Sequence, residues 1–356
     1  MTPPKSASAN APIKVGILGA SGFAGAELLR LLAGHPGFEV AVAAADSQAG
    51  TPIGSLYPSL AAAYAGQVFD PSNLSELNGI DLVFLAMSHG QSQKVMGELL
   101  DIVPKVVDLA ADFRLADASL YPTWYGEEHS SPQYLSKFVY GLPEFYRSSL
   151  EGATHVAVPG CYPTCASLTL APLVAHGVVD ESSLIVNAVS GVSGAGRAPT
   201  ETTTFCKVDE DFTAYGVASH RHTPEIEMIL QKVSGSPMAV TFTPHLAPMN
   251  RGMLTTCYGK FSGKQFTTEE LMSLYKEFYA DEQFVVVIDG IPATKSCAGS
   301  NSAHVSVRVD ARTNTVIAMG AIDNLGKGAA GQALQCANII TGQSEELGLS
   351  TIGLYP

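Results

Sequence analysis

Apolar and polar positions follow two different rhythms along this chain. Residues 13–19 form a β-branched and apolar run, and small residues follow as far as Gly25. Residues 26–32 then place their apolar positions on one side of a helix that Gly34 ends. Similar apolar runs recur at residues 38–45, 81–86 and 105–109. Short strands separated by helical stretches predict βαβ units around a parallel sheet, hence an α/β first half. After about residue 158 the rhythm changes to alternation with a period of two, over residues 184–190, 238–244, 254–261, 304–309 and 315–322. Arg312-Thr313-Asn314 reads as a hairpin turn between the last two runs. Thr267 and Glu270 have the spacing of a capping box ahead of a helix over residues 271–279. A final helix is expected over residues 324–340, with Leu334, Ala337 and Ile340 on one side. The second half thus reads as α+β, with a mixed, mainly antiparallel sheet.

Composition narrows the function classes. A chain of 356 residues exceeds what one core usually supports, so two domains are expected. With 46% hydrophobic and 15% charged residues, it has the composition of a globular protein. The six cysteines are scattered and none forms a C-x-x-C pair, which argues against a disulfide framework and a thiolate zinc site. No apolar h-region opens the chain and no run approaches the ~20 residues of a membrane span, so a cytoplasmic protein with no membrane association is expected. A net charge of −13 excludes a nucleic-acid partner, which would require a basic face. It also means that any anionic small molecule must be held by local positive potential.

The first candidate for that potential is Gly19-Ala20-Ser21-Gly22-Phe23-Ala24-Gly25, between a predicted strand and a predicted helix. Small residues let the backbone approach a pyrophosphate, and the helix N-terminus offers unpaired N–H groups. Gly19, Ser21, Gly22, Phe23 and Gly25 are therefore the candidates for holding a dinucleotide, against the plainer reading of a ligand-free tight turn. At the end of the second strand Asp46 suits a ribose hydroxyl, but Ser47 and Gln48 follow it, so charge alone does not choose between NAD and NADP.

The second candidate is chemical. Val158-Pro159-Gly160-Cys161-Tyr162-Pro163-Thr164 precedes an apolar helical stretch, and Pro163 suits its first turn. This places Cys161 just before the helix, where the positive end of the dipole is expected to lower a thiol from its ordinary value of about 8.5. The alternative is a small buried cysteine without chemistry. Tyr215-Gly216-Val217-Ala218-Ser219-His220-Arg221-His222-Thr223-Pro224-Glu225 is the densest polar cluster. His220 there would serve a thiol as base and later an oxyanion as proton donor. A metal reading of His220, His222 and Glu225 lacks an obvious further ligand, so no metal is expected. A helix cap with solvated histidines is the plain alternative.

Taken in order, these motifs resemble the N-acetyl-gamma-glutamyl-phosphate reductases of arginine biosynthesis, relatives of aspartate-semialdehyde dehydrogenase. The likeness rests on the glycine turn and on Ala111-Asp112-Phe113-Arg114-Leu115, Tyr140-Gly141-Leu142-Pro143-Glu144 and Pro159-Gly160-Cys161-Tyr162-Pro163-Thr164. It continues through residues 190–197, 220–225, 248–252 and 321–328. It implies a Rossmann-type NADP-binding domain over residues 13–158 plus about 325–356, and a catalytic and oligomerisation domain over residues 159–324. Residues 1–12 would be a disordered extension. By position Cys161 matches the family nucleophile and His220 its base. Ser47, Ser193, Gly194, Gly196 and Asn324 join the cofactor set, and Arg114 and Arg251 are candidates for the substrate's anionic groups. NADP(H) is the implied cofactor, and a homodimer or homotetramer the implied assembly.

The implied reaction is attack of Cys161 on an acyl phosphate, reduction of the resulting thioester by NADPH, and release of an aldehyde. Rival readings are a neighbouring reductase acting on N-acetyl-aminoadipyl or aspartyl phosphate, a hydrolase built on Ser193, and a binding homologue without activity. Against the hydrolase, Ala195 stands where a nucleophile elbow needs glycine.

Overall fold

The apolar runs of the first half assemble into one parallel sheet in the computed structural model, which describes residues 11–355. Of the extension expected over residues 1–12, only Ala11 and Pro12 fall within the described residues, and both are exposed. The strands are β1 (Ile13–Leu18), β2 (Phe38–Ala44), β3 (Leu82–Leu85), β4 (Val106–Asp108), β5 (Val139–Tyr140) and β6 (His155–Ala157). Their spatial order is β2-β1-β3-β4-β6-β5, and every pairing is parallel. A parallel sheet is covered on both faces, which is why β3 is apolar and buried at each position instead of alternating. Its helices include α1 (Phe23–Leu32), α2 (Ser92–Ile102) and α3 (Pro143–Leu150).

The second half forms a seven-stranded sheet from β7 (Ile185–Gly191), β8 (Thr213–Ala214), β9 (Thr241–Ala247), β10 (Met253–Lys260), β11 (Val285–Val287), β12 (Ala303–Asp310) and β13 (Thr315–Ile322). The order is β11-β12-β13-β10-β7-β9-β8, with β11–β12 and β7–β9 parallel and the other pairs antiparallel. The mixed, mainly antiparallel sheet expected from the alternation is therefore present. Asn314 closes the β12–β13 hairpin at φ 54°, a left-handed conformation that asparagine tolerates. The strand expected over residues 238–244 begins three residues late, at Thr241. The preceding residues are spent leaving a helix, with Gly235 left-handed at its C-terminus and Val240 N–H donating to Glu227.

That sheet packs on α4 (Cys161–Ala175), which is buried from Tyr162 to Val174, with Cys161 half-buried at its start and Ala175 exposed at its end. With no polar face, α4 has to be enclosed. It lies between the sheet and α5 (Thr223–Ser234), while α6 (Thr268–Phe278) covers β12. The capping box at the start of α6 forms as its sequence spells it: Thr267 accepts from Glu270 N–H at 3.2 Å and Glu270 accepts from Thr267 N–H at 2.7 Å. Pro172 lies within α4 and has no N–H to give Leu168, four residues back. The Tyr279 hydroxyl donates to that carbonyl instead. Tyr279→Phe strands a buried carbonyl and is expected to cost about 1–3 kcal/mol, read from the urea unfolding midpoint; an unchanged midpoint would refute this role.

The chain ends where it began. Instead of one helix over residues 324–340, a π-helical turn occupies Gly326–Ala330 and α7 (Gly331–Ile340) follows it. Ala333, Leu334, Ala337 and Ile340 of α7 pack with Val15, Ile17, Leu28 and Leu29 in the core of the parallel sheet. Partly buried ion pairs tie the two halves. Arg147 of α3 binds Glu282 and Glu345, and Arg251 binds Glu27 of α1 and Asp323.

Candidate active site

The glycine turn lies at the C-terminal edge of β1, beside β3. Gly19 has φ 84°, and a Cβ there would run into the Ala86 carbonyl. A Cβ on Gly25 would lie 2.5 Å from the Gly19 carbonyl, so its absence lets α1 close onto the turn. Gly22 is the N-cap of α1 and Phe23 its first residue, and no side chain caps the helix. The first N–H groups of α1 are thus donors without a capping partner. Ser21 lies on the turn itself, its carbonyl accepting from Tyr57 at 2.7 Å. Burial raises the Tyr57 phenol, and the nearby Arg197 charge opposes that rise, so a guanidinium from the second half stands close to the turn. Uncapped N–H groups, a glycine cradle and a nearby arginine fit a dinucleotide pyrophosphate. Ser47 and Asp46 are exposed on a short 3-10 turn after β2. Ser193 and Asn324 are brought together: the Asn324 amide donates to Ser193 Oγ at 2.9 Å and accepts from Gly252 N–H at 2.7 Å. Gly194 lies against this pair, and Gly196 takes φ 88° just beyond it.

Cys161 is the first residue of α4, one position further in than expected, with Gly160 as N-cap. Its neighbour Gly160 is a point of close approach. A Cβ there would lie 2.5 Å from His222 Nε2 and 2.9 Å from Arg114 Nη1. Gly328 also comes so close that an added Cβ would be 2.8 Å from Cys161 Cβ. Glu225, fully buried at the start of α5, accepts from Gly160 N–H at 2.8 Å and from the Tyr140 hydroxyl at 2.6 Å, and pairs with Arg114 at 3.4 Å. One carboxylate therefore fixes the entry to α4.

The expected direction of the thiol shift is reversed. Burial pushes the Cys161 thiol up to about 11, with the Arg114 charge opposing but not overcoming it. The helix terminus is present, but loss of water outweighs it. The imidazoles shift oppositely. Burial, with Arg221 beside it, brings His220 down to about 4, and burial together with His220, Arg114 and Arg221 holds His222 well below its usual value. The rings are 4.8 Å apart, and Tyr162 packs edge-on against both. Near neutral pH both rings are uncharged. His220 Nδ1 accepts the His222 N–H at 3.1 Å, so the proton of its neutral ring sits on Nε2. In the free protein, alkylation of Cys161 by iodoacetamide is expected to keep rising from pH 7 to pH 10. A plateau below pH 8 would contradict the raised thiol.

Of the two arginine candidates, Arg114 is buried beside the site, donating to the Leu109 carbonyl at 2.8 Å as well as pairing with Glu225. Its Nε has no hydrogen-bond partner among the described residues, nor do His222 Nδ1 and the Tyr125 hydroxyl. Orphaned buried polar atoms are what a polar ligand would satisfy. Arg251 is placed differently: its guanidinium is already held by Glu27 at 2.8 Å and Asp323 at 3.0 Å. Two buried carboxylates neutralise it, leaving an interdomain tie where a substrate contact was expected. The sequence reading passed over His89, whose Nδ1 lies 2.6 Å from Asp112 Oδ1 and whose ring packs on Tyr125. Its signal was available, since His89-Gly90 lies in the loop that follows β3 of the parallel sheet.

Residues 14–153 match the family model described as semialdehyde dehydrogenase, NAD binding domain, and residues 161–324 match semialdehyde dehydrogenase, dimerisation domain. The chain is 46% identical over 352 residues to the N-acetyl-gamma-glutamyl-phosphate reductase of Desulforamulus reducens, covering 97% of this chain and 100% of that protein. It is 45% identical to the same-named protein of Geobacter sulfurreducens, again over 97% of this chain and 100% of that one. Among solved structures, aspartate semialdehyde dehydrogenase II of Vibrio cholerae in complex with ASA superposes with a TM-score of 0.70 at 17% identity, covering 94% of this chain and 99% of that one. The aspartate semialdehyde dehydrogenase of Candida albicans, solved with NADP, gives 0.61 at 16% identity over 93% and 99%. At such identities these two structures speak for the fold alone.

Proposed function

Since this chain belongs to the N-acetyl-gamma-glutamyl-phosphate reductases of the semialdehyde dehydrogenase family, we propose that Cys161 carries its reaction as a covalent nucleophile. The activity is the NADPH-dependent reductive dephosphorylation of N-acetyl-gamma-glutamyl phosphate to N-acetylglutamate 5-semialdehyde, in arginine biosynthesis. The observation that carries the assignment of Cys161 is its placement: the half-buried first residue of α4, directly after Gly160, against which Arg114 and the neutral imidazole of His222 close, with His220 packed edge-on to His222.

In this reading the Cys161 sulfur attacks the acyl carbon, the carbon–oxygen bond to phosphate breaks, and a thioester remains. The His220–His222 pair takes up the thiol proton on attack. Arg114, with its free Nε, faces the anionic leaving group, which leaves the substrate's other anionic end without the Arg251 contact first expected. Gly19, Ser21, Gly22, Phe23 and Gly25 would hold the dinucleotide pyrophosphate, with Ser47 at the ribose and Ser193, Gly194, Gly196 and Asn324 toward the nicotinamide. When bound, NADPH supplies the hydride that takes the acyl group to the aldehyde level. His220 presents Nε2–H, a donor suited to the hemithioacetal oxygen, and collapse of that species returns the sulfur to Cys161 as a thiol. Splitting the transfer in two avoids direct reduction of a labile acyl phosphate.

Phosphate-dependent oxidation of three semialdehydes by NADP+ tests the substrate. The N-acetylglutamate compound should give the highest kcat/KM, and a higher value for the aspartate or N-acetyl-aminoadipate compound would overturn the assignment. We place the enzyme in the cytoplasm, a setting that suits its six free cysteines, and no described helix is long and apolar enough to cross a membrane. A homodimer or homotetramer is supported by the exposed Phe205, Phe212 and Val217 within the residues matched to a dimerisation domain.

A further inference from the structure

Cys161 is closely approached by a segment that no step of this reaction uses. In the turn Gly326–Ala330, Gly328 N–H donates to Asp323 and Ala330 N–H to Leu325, each at 2.9 Å and each spanning five residues. Such π-turns are rare and concentrate at functional sites. Three glycines make this one possible. A Cβ on Gly326 would strike the Ser300 carbonyl, one on Gly331 the Asn301 side chain, and one on Gly328 would lie 2.8 Å from Cys161 Cβ. Between the first two glycines stands a charged side chain with no exposure at all. Lys327 Nζ donates to Glu144 at 2.6 Å and to Gln335 at 2.7 Å, and lies 5.6 Å from the Phe284 ring centroid. Glu144 is equally buried, on α3 of the parallel-sheet half, where Arg147 also ties α3 to Glu282.

Two buried charges in contact are weak stabilisers compared with an apolar pair of the same volume, but they fix register. We propose that the Lys327–Glu144 pair is a positioning device: it anchors the π-turn to α3 and thereby sets how Gly328 presses on Cys161 and how the sulfur is presented. Lys327 acts through Gly328 and is a positioning residue. The inference rests on the reading of Cys161 as nucleophile.

The test removes both charges without stranding either, in Lys327→Met/Glu144→Gln. The double variant should fold and bind NADPH as the unaltered enzyme does, with kcat down roughly 10- to 100-fold and KM for the acyl phosphate little changed, the signature of a displaced reacting group. The pH profile of iodoacetamide alkylation, mapped to the Cys161 peptide, should shift with it. Gly328→Ala, which moves Cys161 directly and leaves the ion pair intact, should reproduce the kcat loss. Should that double variant not fold, Lys327→Met/Glu144→Leu, which likewise leaves no buried charge unpaired, is read in the same way. A folded variant with the original kcat and alkylation profile overturns the proposal, as does an unimpaired Gly328→Ala. Alkylation is measured without substrate, so its outcome stands whether or not the acyl-phosphate assignment does, and Cys161→Ser tests the nucleophile separately.

Discussion

Cys161→Ser is expected to lower reductase turnover by a factor on the order of 10⁴ or more, the scale seen when an enzyme loses its covalent nucleophile. The exchange changes one atom at a half-buried position, so neither the packing of α4 nor the glycine turn is disturbed. Fluorescence titration with NADPH should therefore give the same affinity as the unaltered protein. A serine hydroxyl ionises far less readily than even a raised thiol, and it forms an ester instead of a thioester. The imidazole pair cannot compensate, because burial has weakened its basicity and a hydroxyl proton is harder to remove than a thiol proton. Turnover within tenfold of the unaltered enzyme would remove Cys161 from the mechanism, and loss of NADPH binding would mean that the variant reports on folding and not on chemistry.

The second large effect is expected at a residue that touches no proposed reacting atom. Glu225→Ala withdraws the acceptor for Gly160 N–H and the Tyr140 hydroxyl and leaves the Arg114 guanidinium buried without its partner. Removing one member of a buried ion pair costs about 3–5 kcal/mol, because the remaining charge is stranded. The unfolding midpoint in urea should fall accordingly, and the surviving folded fraction should turn over slowly, since the N-cap of α4 is no longer held. Glu225→Gln keeps an acceptor for Gly160 N–H and should recover part of the stability but not the charge balance around Arg114. A loss below about 1 kcal/mol in Glu225→Ala would show that the network is not the support inferred here.

These two residues mark what was legible in the sequence and what was not. Features set by neighbours in sequence were readable. The capping box of Thr267 and Glu270, the glycine turn from Gly19 to Gly25 and the Asn314 hairpin each depend on a few consecutive positions. Contacts made across the fold were not. Glu225 meets Gly160 from 65 residues away, and Lys327 meets Glu144 from 183 away. The thiol shows the same limit in electrostatic form. The start of a helix at Cys161 could be foreseen, but the burial that outweighs it arises only when residues remote in sequence, such as Gly328, close around that point of the fold. Arg251 looked available in sequence because Glu27 and Asp323 are remote from it. Strands of two or three residues, such as β5 and β11, are too short to show any period.

The return of α7 into the core of the parallel sheet bears on how the polypeptide matures as it leaves the ribosome. Ala333, Leu334, Ala337 and Ile340 cover apolar surface of β1 and α1, segments synthesised some 300 residues earlier. The nascent first half must therefore wait, with an oily flank uncovered, until α7 has been translated. During that interval it is a natural client for chaperones that shield such surfaces, and a chain stopped just short of α7 would remain one.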